Sequence, residues 1–112
     1  MGIQKDAGEL LVYIYNEIIK NQRAPNQQQL INITKWDKNR VTLALKYLRR
    51  KELIYGEIDI TDLSDGIDTY VHIYDISPEG VDTIENPDKF KKNFNFQVNL
   101  GVFRYSWGAS EK

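Results

Sequence analysis

The sequence predicts a single α+β domain: three helices, then a β-hairpin, a short fourth helix and a C-terminal β extension. Three observations predict it. Apolar residues recur at helical spacing through the first fifty residues. Two runs of alternating apolar and polar residues flank the turn cluster Asp62-Leu63-Ser64-Asp65-Gly66. Directly after the second run, Ser77-Pro78-Glu79-Gly80 supplies a cap, a proline for the first helical position and an acid for the first turn.

The first helix is expected from Asp6 to about Asn21, where Ala7, Leu10, Leu11, Ile14 and Ile18 form an apolar stripe and Arg23-Ala24-Pro25 breaks the pattern. Asn26 and Gln29 have the spacing of a capping box, in which each side chain satisfies the other residue's backbone N–H. A short helix carrying Leu30, Ile31 and Ile33 follows and ends near Thr34-Lys35-Trp36. Asp37 then caps a third helix running to about Lys51, with Val41, Ala44, Leu45 and Leu48 as its buried stripe. Its outward positions are expected to be Lys38, Asn39, Arg40, Thr42, Lys46, Arg49 and Arg50, with Leu43 also outward.

In the first strand Ile58 and Ile60 share one face, and Glu57 and Asp59 share the other. The second strand sets Tyr70, His72 and Tyr74 against Val71 and Ile73 and ends at Ile76. The fourth helix is expected through Ile84, stopped by Asn86-Pro87. Beyond it, Phe94, Phe96, Val98 and Leu100 alternate with polar residues, and the phase slips beside Gly101 to Phe103, Tyr105 and Trp107. This pattern predicts a bulged or bent β segment.

A chain of 112 residues fits one domain, and 41% hydrophobic residues can fill one core. Folding at this size buries about 65% of the extended chain's surface. The absence of cysteine removes disulfides and thiolate metal sites. No apolar run approaches the ~20 residues of a membrane span or the pattern of a signal peptide, so the expected location is cytoplasmic. The net charge of −1 conceals strong segregation. Residues 1–54 hold ten Lys and Arg against five Asp and Glu; residues 55–88 hold ten Asp and Glu and no Lys or Arg; residues 89–112 hold five Lys and Arg and one Glu.

The segment Asp37–Ile54 resembles the recognition helix of the winged helix-turn-helix superfamily of bacterial and archaeal regulators, with its exit into the wing. It has the polar cap, the small residue at Ala44, the aliphatic ladder and a Leu-Ile pair after a basic turn. Tyr74–Glu85 is similar to the strand-to-helix junction that follows the wing. The resemblance implies a winged-helix domain over residues 1–86, with residues 87–112 as a β extension packed on that domain or forming a dimer seam. The sequence departs from the pattern at Lys35, where glycine is frequent, at Trp36, where a smaller aliphatic residue is usual, and in its acidic wing.

In this fold the third helix lies in the major groove with its N-terminal residues at base edges. The resemblance therefore implies a sequence-specific DNA-binding regulator whose contacts come from Lys38, Asn39, Arg40, Thr42, Lys46, Arg49 and Arg50 on double-stranded DNA. Leu43 suits a thymine methyl or a protein partner alike. A homodimer is expected, since two-fold DNA binders need paired half-sites. The ten acids would be repelled by phosphates; they solubilise an edge hairpin or, in an alternative reading, dock a protein partner. That alternative is a non-catalytic interaction module using the acidic hairpin or the aromatic tail. Asp59, Asp62, Asp65 and Asp68 lack the ligand order of a calcium loop, and the single histidine, His72, reads as structural. No nucleophile, phosphate-loop or metal motif appears, so neither a cofactor nor catalysis is expected.

Overall fold

The computed structural model describes residues 2–97. They form an α+β domain with the order α1 (Ile3–Asn21), α2 (Gln27–Thr34), α3 (Lys38–Arg50), β1 (Ile54–Leu63), β2 (Gly66–Ile76), α4 (Pro78–Glu85) and α5 (Pro87–Phe94). Among the described residues, no helix is long and apolar enough to cross a membrane.

Helix α1 begins one turn earlier than its apolar stripe suggests, at Ile3, and is the central element of the core. Leu10, Leu11 and Ile14 are fully buried against Val41, Leu45 and Leu48 of α3, Leu30 of α2, Ile84 of α4 and Phe90 and Phe94 of α5. Each such side chain contributes about 1.5–3 kcal/mol when removed from water.

The joints follow local chemistry. At the start of α2 the capping box forms as expected: Gln29 N–H donates to Asn26 Oδ1 and Asn26 N–H to Gln29 Oε1, both at 2.8 Å. Lys35 ends α2 in the left-handed region, at φ 64°, and its N–H donates to Ile31 O at 2.9 Å. A lysine thus adopts the conformation that glycine takes more easily. Asp37 caps α3 by accepting from Arg40 N–H at 2.8 Å. At the far end of α3, Glu52 is left-handed, Leu53 N–H donates to Leu48 O at 3.0 Å and Glu52 N–H to Arg49 O at 2.9 Å. This is a Schellman stop, and it turns the chain directly into β1.

β1 and β2 pair antiparallel, with Ile58 opposite Val71 and Ile60 opposite Thr69. The register shifts between Tyr55 and Gly56. Glycine is required there, because a Cβ on Gly56 would lie 2.3 Å from His72 O. The opposite edge of β2 is held by one side chain: Gln27, 1% exposed, accepts from Val71 N–H at 2.8 Å. Without it, a buried backbone donor would lack that acceptor. Ser77 then joins the second strand to the end of α3, donating to Glu52 O at 2.7 Å and accepting from Gly80 N–H at 3.0 Å.

The expected β extension is corrected where it is described. Residues 87–94 form a helix, α5, because Asn86 caps it, accepting from Asp88 N–H at 3.1 Å and Lys89 N–H at 3.2 Å. Phe94 is the last residue of that helix rather than part of a strand. It packs on Gly8 of α1, where an added Cβ would come within 2.9 Å of Phe94 Cβ and of the Phe96 ring. The described part of the extension therefore packs on the same domain. Val98, Leu100, Phe103, Tyr105 and Trp107, and the slip beside Gly101, lie outside the described residues.

Candidate nucleic-acid interface

Helix α3 divides into three faces. Val41, Ala44, Leu45 and Leu48 are buried in the core, as their spacing predicts. A second set lies at the edges and is committed to partners within the molecule. The third faces solvent.

Several expected contact residues fall in the first two sets. Thr42 is corrected: it is 6% exposed, too covered for an outward position. Arg40 is only half-exposed and points at α1, where its Nε and Nη2 donate to the two carboxylate oxygens of Asp6 at 2.8 and 2.9 Å. Its guanidinium also lies 3.9 Å from the centre of the Trp36 ring. The hydrogen bonds to Asp6 push the Arg40 pKa further up, which keeps the guanidinium charged in this contact. Lys38, although exposed, forms an ion pair with Asp68 on β2. Arg49 donates through Nε to Gly56 O at 2.8 Å, tying the end of α3 to the hairpin bulge.

Asn39, Leu43, Lys46 and Arg50 make up the third face. At positions i, i+4, i+7 and i+11 they form one continuous row along the helix. Asn39, Leu43 and Arg50 are exposed and Lys46 is half-exposed. Among the described residues the side chains of the three polar members have no hydrogen-bond or ion-pair partner, and the same holds for the side chains of Lys35 and Lys51 beside the two ends of α3. The structure thus brings Asn39, Lys46 and Arg50 together and separates them from Lys38, Arg40, Thr42 and Arg49.

Sequence reasoning missed the partners that make this division. Asp6 and Asp68 lie 34 and 30 residues from the cations they hold, so no helical or strand period connects them. Trp36 gave a signal, as the large aromatic in place of a smaller aliphatic; its ring serves as the platform for Arg40.

The hairpin presents two unlike surfaces. Glu57, Asp59 and Asp68 share the face that carries Tyr70, His72 and Tyr74. On it Asp59 Oδ2 lies 3.1 Å from His72 Nε2, and a hydrogen bond to Glu57 raises the Tyr74 pKa. The other face runs from buried Val71 to an uncovered far end, where Ile60 is 61% and Ile67 68% exposed beside Thr69 and Asp62. Among the described residues no group of three His, Asp or Glu side chains is placed to hold a metal ion. An open groove of about 550 Å³ beside the end of α3 is lined by Arg49, Glu52, Tyr55, Gly56, Pro78 and Glu79. Its charges are mixed and no cluster of reactive groups converges on it. No known family model, curated protein or solved structure matches this chain.

Proposed function

We propose that this domain is a winged helix that binds double-stranded DNA, as a homodimeric transcriptional regulator, through the solvent face of α3. One observation supports the reading above the others. Among the described residues, Asn39, Leu43, Lys46 and Arg50 form a solvent-facing row on the helix that follows a two-helix turn, with two further lysines at its ends whose side chains are unpaired. A helix about 10 Å across fits the major groove, and such a row combines base-edge chemistry near the N-terminus with phosphate-seeking cations further on. Carboxylates against phosphates would be repelled, so in this reading the acids of the hairpin stay clear of the backbone, with Asp68 at the margin where it pairs with Lys38 of α3.

The test is a mobility shift against random duplex DNA from low to moderate salt. Binding should fall steeply with salt, and the Lys46→Ala/Arg50→Ala double variant should flatten the log–log slope by about 2, one phosphate contact for each lost cation. Absence of binding at low salt would end the proposal.

A second reading is favoured by the far end of the hairpin, where Ile60 and Ile67 on one face are 61% and 68% exposed and Leu63 on the other is 50% exposed. An apolar surface of that kind beside an acidic face suits a protein partner. A stable protein complex lost on Ile60→Ser/Ile67→Ser, without any retained nucleic acid, would replace the DNA proposal.

A further inference from the structure

Resting on the DNA-binding reading above, we propose that α3 reads A·T base pairs, with the Asn39 amide on adenine and the Leu43 side chain on the 5-methyl group of a neighbouring thymine. The N-terminal half of such a helix is the part that meets base edges. In this chain its arginine is turned inward and its lysine is drawn toward the hairpin. Arg40 is held by two hydrogen bonds of 2.8 and 2.9 Å to Asp6 and by the Trp36 ring 3.9 Å away. Lys38 is paired with Asp68, and Thr42 is buried. Asn39 and Leu43 remain.

Their chemistry points to one base-pair type. An asparagine amide matches adenine, donating to N7 and accepting from the N6 amino group. Leu43, 38% exposed, offers only apolar surface. Among base edges in the major groove, only thymine presents a methyl group to meet it. Against a G·C pair the same leucine would cover the O6 and N7 acceptors and the N4 donor without replacing their water, which disfavours that pair. A single exposed leucine is ordinary on a protein surface. The argument rests on its position, one turn beyond Asn39 on the same face. Four residues span about 6 Å of helix, and base pairs repeat at about 3.4 Å, so the two side chains reach pairs one or two steps apart. Lys46 and Arg50 lie further along, where the helix leaves the base edges and meets the backbone.

The experiment uses the full chain. Duplexes are selected from a random library, and affinities are then measured by fluorescence anisotropy on selected sites in which each thymine in turn is replaced by deoxyuridine, which lacks only the methyl group. Selected half-sites should contain neighbouring A·T pairs. One deoxyuridine replacement should weaken binding about three- to fivefold, the worth of one buried methyl. Leu43→Ala should bind the two duplexes equally. Asn39→Ala should lose its preference for adenine at the adjoining position by about tenfold. Both positions are exposed, and an unchanged circular dichroism spectrum verifies that the variants fold. Binding to DNA with G·C-only half-sites, or with no response to deoxyuridine at any position, would overturn this inference and leave the DNA reading standing. No binding at all would overturn both.

Discussion

Arg40 shows how a residue type can mislead about its role. An arginine near the start of a helix following a two-helix turn is what guanine recognition calls for, yet its guanidinium is directed inward to Asp6 and stacked on Trp36. It links α3 to α1 at the edge of the core that packs the two helices together. Asp6 is buried while Arg40 is half-exposed, which moderates the strength of the pair. Replacing Asp6 by Asn should cost about 1 kcal/mol in urea titration, with an unchanged dependence on denaturant. A change below about 0.3 kcal/mol would show that the clamp contributes nothing. This contact was not readable in the sequence, because it is a matter of tertiary approach between residues 34 apart.

At the scale of elements, what could be read was what is local. The capping box at Asn26, the Asp37 cap, the Ser77-Pro78 helix start and the alternation of the hairpin each depend on residues within four positions of one another, and all appear in the structure. Helix α5 was missed because Asn86-Pro87 serves two purposes. The pair stops α4 and starts α5, and only the first purpose shows when the following aromatics alternate like a strand. The turn between α2 and α3 allows a direct check. Lys35 adopts φ 64°, where a Cβ is unfavourable by about 1–2 kcal/mol, and part of that is offset by the greater freedom of an unfolded glycine. Lys35→Gly should therefore stabilise the domain by about 0.5–1 kcal/mol. A loss of stability would mean that the lysine side chain makes a contact worth more than the strain.

For the whole molecule the dominant feature is charge segregation, and the structure shows where the segments meet. The ten acids of residues 55–88 run through the hairpin and α4 into α5, and lysines from outside the segment meet two of them: Lys38 of α3 meets Asp68 and Lys89 of α5 meets Glu79. Within the DNA-binding reading, Asp68 competes with phosphate for that lysine. Asp68→Asn should raise affinity for non-specific duplex and steepen its salt dependence by about 0.9 per decade, the increment for one additional phosphate contact. An unchanged slope would place Lys38 away from the duplex. The sequence located the acidic segment but not this meeting point, which depends on the twist and reach of two strands of ten and eleven residues.

Gln27 holds the inner end of the hairpin, whereas every residue from Thr61 to Ile67 is exposed. The tip is consequently an appendage that the interior does not constrain. Because side chains alternate sides along a strand, trimming or extending both strands by two residues leaves every inward position inward. Length and chemistry at that end can drift or be redesigned while the helices beneath keep their packing, so this is where descendants of the chain have most room to diverge.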